Sequence, residues 1–309
     1  MSFAIILVII AQFFNAVVAL VDKYIISTKK VPHPSYYAFF VSMLSALSVF
    51  VFFFGFISVP FPELSIPSFY NVSIPTLYVT VSSILSGAVF FFALWTLFTA
   101  FRHADASDVI PVVGSVSALT AIPLGYYILG TSMSKDFYIG VFLLVLGALL
   151  LSHYRFKKKV FIVTVTSGVF FAIYYILLKD LFSITNFDNA FFWSRMGIVF
   201  AAIVIFLPRW AHCRECYVRT SNKSNWIIIG NKILAGISGF LLLKAIDLSN
   251  VAIVQALGGL QFVFLFAFSL TIGHLLPREV GENVVGRNKI QKTLAISLLV
   301  IGFLLLFLL

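Results

Sequence analysis

The chain has 309 residues, 61% of them hydrophobic, 17% aromatic and only 10% charged, a composition that excludes a soluble globular domain. Its net charge of +10 would suggest nucleic acid as a partner if the chain were soluble. In so apolar a chain the placement of the cations carries a different meaning, and nucleic acid is not expected.

A helix needs about 20 apolar residues to cross a hydrocarbon core of roughly 30 Å. Ten such runs are predicted, near 3–26, 35–59, 76–101, 107–130, 137–154, 160–182, 190–208, 225–246, 250–276 and 290–309. The runs are continuously apolar, whereas the strands of a membrane β-barrel alternate, so the expected class is an all-α polytopic membrane protein in contact with the lipid bilayer.

The first span contains FAIILVIIAQFF but lacks the positive region of a secretory signal, and is read as a retained helix. It carries Gln12 and, near its centre, Asn15, and it ends with Asp22 and Lys23, which are expected to anchor at the interface or pair locally. The third span carries Trp95 in FFFALWTLF, deeper than an interfacial aromatic belt, where it either packs or lines a cavity. HADASDVIPVVGS follows at 103–115, and its His103 and Asp108 have the spacing some membrane-bound acyltransferases use, the carboxylate orienting the imidazole as a base. Pro111 lies a few residues into the fourth span, where the first turn of a helix tolerates it.

Lys179 and Asp180 close the sixth span much as Asp22 and Lys23 close the first. Arg195 lies a turn or two into the seventh span, and Asn231 and Lys232 about a third of the way into the eighth. A Lys or Arg at the bilayer centre costs roughly 2.5–3.5 kcal/mol on insertion scales, so Arg195 and Lys232 are expected to face a polar cavity. Gln255, Gly258, Gly259 and Gln261 interrupt the ninth span, and amides in hydrocarbon need a partner helix, water or a ligand. The candidate substrate-facing residues are Asn15, Trp95, Arg195, Lys232, Gln255 and Gln261. Deep cations outnumber deep anions, which favours an anionic or zwitterionic substrate.

In the basic loop after the seventh span, HCREC offers His212, Cys213 and Cys216 as three zinc ligands. A structural zinc site needs four, so free thiols and no metal are expected. With no phosphate-binding Gly-rich loop, neither ATP nor another cofactor is expected, which leaves an ion gradient or the substrate's own gradient as the driving force.

The chain also repeats itself. HADASDVIPVV is echoed 142 residues later by AIDLSNVAIVQ, so that Asp105 meets Asp247, Ser107 meets Ser249 and Asp108 meets Asn250. His103 meets Ala245, so what recurs is the set of polar residues that cap helix starts and not the histidine. Ser107 or Asp108 is expected to cap the fourth helix, and Ser249 or Asn250 the ninth. FLLVLGALLL (142–151) resembles SLLVIGFLLL (297–306), and FFNAVVALVDKY (13–24) resembles FFAIYYILLKDL (170–181). Two five-span halves, 1–154 and 160–309 joined by a basic linker at 155–159, would enter the membrane in opposite senses, with a substrate site at their interface. Of the 21 Lys and Arg, 16 fall in loops after odd-numbered spans. The positive-inside rule puts those loops in the cytoplasm and both termini outside.

The five-plus-five plan, the run ADASDVIPVVGSVSALTAIPLGYYILG followed by YIGVFLLVLGALLL, and its weaker second copy resemble the EamA-like branch of the drug/metabolite transporter superfamily over nearly the whole chain. That resemblance implies a secondary transporter of a small metabolite in the cytoplasmic membrane of a prokaryote, a monomer working by alternating access, with a coupling ion among its possible partners. It implies a cavity bounded by spans 1, 3, 4, 6, 8 and 9. The chain departs from the family pattern where Thr131, not Glu, follows Gly130. The alternative reading is a lipid-handling membrane protein, either a flippase or the acyltransferase that His103 and Asp108 would make.

Overall fold

The structure, a computed structural model, describes residues 2–28, 31, 33–56, 65–131, 157–213 and 222–271, with short pieces at 138–140, 142–143, 146–147, 297–298 and 301–302. The fifth and tenth predicted spans lie largely outside the described residues, as do Cys216 and the side chains of His212 and Cys213. Among the described residues there is no strand, and seven helices are long and apolar enough to cross a membrane. The chain is a multi-pass α-helical membrane protein.

Helix α1 runs Ser2–Ser27 and α2 runs Pro34–Leu44, continued by a 3-10 segment Ser45–Phe54. The second predicted span is therefore not one uniform α-helix, since its winding tightens at Ser45. His33 starts α2 by accepting a hydrogen bond from Ser35 N, with Pro34 in the first turn, where its missing N–H costs nothing. Helix α3 spans Leu77–Phe101 under a Thr76 cap that accepts from Val79 N. Helix α4 spans Ala106–Leu129 and stops at Gly130, whose φ of +64° is a left-handed ending that glycine adopts without a Cβ penalty. Then come α5 Lys158–Ile184, α6 Phe187–Cys213 and α7 Asn222–Leu248. The ninth predicted span is broken into α8 Val251–Ala256, a 3-10 turn Leu257–Gly259 and α9 Leu260–Thr271. The break falls at Gly258 and Gly259, the poorest helix formers in that run after proline.

At the start of α4 the cap position falls to Asp105, the first of the repeated polar residues expected at the helix junctions, and not to Ser107 or Asp108. Ser107 and Asp108 lie buried in the first turn, and Pro111 sits inside the helix as its sixth residue, beyond the first turn. Asn250 caps α8 as expected, its Oδ1 accepting from Ala252 N at 2.9 Å. Ser249 precedes it in the bend, and Asp247 belongs to the last turn of α7.

Helix α3 packs on α5 and α6, α4 on α5, and α1 on α7 and α9. Two lysines tie these packings to helix ends. Lys23 donates from α1 to the carbonyls of Phe101 and Ala104 at the end of α3, at 2.7 and 2.8 Å. Lys179 donates from α5 to those of Ile246 and Asp247 at the end of α7, at 2.9 and 2.8 Å. The last carbonyls of a helix lack partners and carry the negative end of its dipole, so an ammonium there is held by charge as well as by hydrogen bonds. Both lysines are thus paired to another helix's backbone, and Asp180 beside Lys179 accepts from the Tyr78 hydroxyl of α3. Lys23→Met and Lys179→Met are each expected to lower stability by about 1–2 kcal/mol, read as the shift in thermal unfolding of the protein in detergent.

Candidate functional site

The most strongly polar point of the interior is built on Asp22. Near the end of α1 its carboxylate is 5% exposed, and it meets the Lys232 ammonium of α7 at 2.6 and 2.9 Å. The Tyr37 hydroxyl of α2 and Asn231 Nδ2 of α7 both donate to Asp22 Oδ1, at 2.6 and 2.7 Å. The Lys232 ammonium lies 4.9 Å from the Tyr37 ring centroid and 5.7 Å from that of Phe98 on α3, where the negative ring faces add to its stabilisation. Two charges in a dry interior are tolerated only with such dense hydrogen bonding. Asp22 is therefore not an interfacial anchor. Its distance from the helix end mattered less than the helix lying against it.

Beside this knot is a cavity of about 340 Å³. One wall is the end of α2 with the 3-10 segment, including Ser45 and Ser48, and the opposite wall is α7 from Ile229 to Leu243. Phe90 of α3, Tyr174 and Tyr175 of α5, and Phe191 and Arg195 of α6 supply the rest, so most of the lining is aliphatic or aromatic. Two cations reach it, Arg195 and Lys232. Lys232 is neutralised by Asp22, whereas Arg195 has no carboxylate paired with it among the described residues. The guanidinium lies 4.8 Å from the Phe191 ring centroid and faces Tyr174. Arg195 is 8% exposed, and its Nε has no hydrogen-bond partner among the described residues. The Ser45 and Ser48 hydroxyls are each bonded to a carbonyl of their own segment, Ser42 O and Ser45 O, both at 2.6 Å.

The other candidates lie elsewhere. Trp95 is half-buried and stacked against Phe92, with centroids 6.1 Å apart, and does not line this cavity. Gln255 accepts from the Ser117 hydroxyl of α4 at 2.9 Å, Gln261 donates to Asn15 O at 3.0 Å, and Asn15 donates to Gln12 Oε1 at 3.3 Å. These amides form an interhelical seam among α1, α4, α8 and α9, where polar side chains hold helices together in lipid. Of the six candidates the structure brings Arg195 and Lys232 together at the cavity. Sequence reasoning did not single out Tyr37, Tyr174, Tyr175 or Phe191 as site residues, because nothing distinguishes them among 12 Tyr and 36 Phe.

His103 and Asp108 are not assembled into a dyad. His103 is exposed in the turn after α3, Asp108 is buried in the first turn of α4, and no hydrogen bond joins them. A smaller cavity that His103 lines is otherwise made by Thr99, Ala100, Lys157, Lys159, Val160 and Val163, with no carboxylate. No group of three or more His, Cys, Asp or Glu able to hold a metal occurs among the described residues.

At the start of α6, Asp188 accepts from Ser68 N at 3.1 Å and Asn71 Nδ2 at 2.7 Å, and Asn189 accepts from Ser73 N at 3.0 Å. Trp193 Nε1 donates to Ser73 O at 3.0 Å. The segment leading into α3 is thereby fastened to α6.

No family model and no curated protein matches the chain. Among solved structures 27 chains match. One, described only as "Crystal structure of protein", is 13% identical, with a TM-score of 0.62 over 96% of this chain and 95% of its own. At that identity the likeness is one of fold alone.

Proposed function

We propose that the protein is a secondary transporter that carries a small solute across the membrane by alternating access, built as ten spans in two inverted five-span repeats. The observation that carries this reading is a difference between two helix pairs that the repeat would make equivalent. Helices α3 and α6 cross in contact. A Cβ on Gly87 would stand 2.6 Å from Ile198 N and closer still to the Gly197 carbonyl, and one on Gly197 would overlap the Ser83 carbonyl. The mate pair, α7 and the second span, is parted by the cavity. There Gly236 and Gly239, both on the cavity wall, have no neighbouring atom within 4 Å of where a Cβ would sit, among the described residues.

The lysine ties support the same repeat, since Lys23 and Lys179, near the ends of spans one and six, hold the ends of spans three and eight respectively. Inverted repeats have two near-equivalent arrangements, and exchanging them would close the cavity over Arg195 while parting α3 from α6. The positive-inside bias supports an orientation with both termini outside, and the resemblance to the EamA-like branch supports a monomer in a prokaryotic cytoplasmic membrane, driven by an ion or solute gradient.

The test is a disulfide across the cavity. In a Cys213→Ser, Cys216→Ser background, Ser48→Cys and Gly236→Cys stand on opposite walls, and in lipid nanodiscs under mild oxidation they are expected to cross-link as the walls meet. Lasting failure to cross-link, with both thiols still reactive, would mean that the walls stay apart and the alternating reading is wrong.

A further inference from the structure

We propose that the cavity is a binding site for a small monoanion with an apolar or aromatic body, in which Arg195 receives the substrate's carboxylate. The inference deepens the transport reading and rests on it for the substrate's passage, though not for its binding. The argument starts from charge. Arg195 and Lys232 bring two positive charges to the lining, and Asp22, at 2.6 Å from the lysine, returns one negative. Among the described residues the site is left with a single guanidinium that no carboxylate pairs.

A buried charge without a counter-ion is expensive, and its usual remedy, a protein carboxylate, is missing around Arg195 among the described residues. Its Nε is buried and unpartnered, so a donor is available, and a guanidinium presents its donors in the fork that a carboxylate accepts. Phe191, stacked beneath the guanidinium, and the Tyr174 and Tyr175 side chains of α5 fix where an anion can approach.

The same inventory argues against a substrate amine. The carboxylate that meets a cation of the cavity among the described residues is Asp22, whose oxygens already accept from Tyr37, Asn231 and Lys232. An ammonium entering the cavity would have to displace Lys232 to reach it. A zwitterion would satisfy Arg195 and leave its own amine unpaired in an apolar chamber, and a dianion would bring one more negative charge than the site can match. Apart from Ser45, Ser48 and the two tyrosines, the remaining lining is apolar, from Val41 and Leu44 on one wall to Ile233 and Leu243 on the other, which suits an apolar body in about 340 Å³.

Four probes that share one phenyl body separate these cases on the purified full-length protein in detergent: 3-phenylpropanoate, L-phenylalanine, phenethylamine and 3-phenylpropanol. Calorimetric titration is expected to show the acid binding at least about tenfold more tightly than the other three, the margin of one or two charge-assisted hydrogen bonds. Arg195→Gln is expected to remove that margin, bringing the acid's affinity down to that of the alcohol, and Arg195→Lys to restore part of it. If the glutamine variant does not fold, the wild-type series still decides. The proposal is overturned if the acid does not bind, if phenylalanine or phenethylamine binds as tightly, or if the acid's affinity survives Arg195→Gln in folded protein. Counterflow of labelled 3-phenylpropanoate in proteoliposomes separates the two readings. Arg195-dependent binding without exchange upholds this site and counts against transport, whereas a cross-link between Ser48→Cys and Gly236→Cys without acid binding upholds alternation and overturns the site.

Discussion

Asp22→Ala is expected to destabilise the folded protein by about 3–5 kcal/mol, and Lys232→Ala by a similar amount, because either change strands the partner's charge in the interior. Asp22 is 5% exposed and Lys232 9%, so the pair's charges are stabilised chiefly by protein groups and not by bulk water. Against a total stability of 5–15 kcal/mol for a typical domain, at least about a fifth of the fold's margin goes with one side chain. The double variant Asp22→Leu, Lys232→Met removes both charges and fills the space with apolar atoms. It is expected to cost far less than the sum of the two single changes. Equilibrium unfolding in mixed micelles measures all three, and strict additivity would show that the two residues do not act as a unit. Loss of uptake in Lys232→Ala would on this account report a folding defect, whereas Arg195→Gln probes the cavity itself.

The seven long apolar helices were legible in the sequence because the bilayer imposes one requirement, a long apolar run, that composition states directly. Arg195 and Lys232 stand out in the sequence for a related reason, since each sits far enough into its run to need a partner for its charge. Asp22 was misplaced because distance along a helix was taken as depth in the protein. It lies near the end of α1, yet Lys232, 210 residues away, packs against it from within α7. No local pattern encodes that meeting. Adding Asp22 also changes the charge inference, because it cancels one of the two deep cations and leaves Arg195 to set the sign of the site. Trp95 and the glutamines of the ninth span show the converse failure. A polar or aromatic group deep in a run was read as facing a cavity, and the neighbours that satisfy it, Phe92, Ser117 and the Asn15 carbonyl, are fixed by helix packing that the sequence does not spell out. The close crossing of α3 and α6 did leave a trace, the pair Ser83 and Gly87 four residues apart, which is the small-residue spacing that lets membrane helices approach.

That crossing supports the second large prediction, in which the same substitution has opposite signs at two glycines. In an ordinary helix Gly→Ala stabilises by about 0.5–1 kcal/mol, through lower entropy in the unfolded chain. At Gly236, with nothing within 4 Å of the new methyl, that gain is expected in full. At Gly197 the methyl would overlap the Ser83 carbonyl, which is backbone and cannot rotate aside, so α3 and α6 must separate. Overpacking of this kind typically costs about 1–3 kcal/mol, and here it also loosens the helices that Asp188, Asn189 and Trp193 hold together at their start. Gly87→Ala is expected to behave like Gly197→Ala, and the two together to cost less than their sum, because one separation of the helices accommodates both. Thermal unfolding of the four variants in one detergent is sufficient to see this, and a stabilising Gly197→Ala would contradict the close crossing. A larger side chain at Gly236 carries the argument into transport. Gly236→Leu still has room in the open cavity and is expected to fold, but if α7 must meet the second span during the cycle, it should hold the two walls apart and abolish solute exchange.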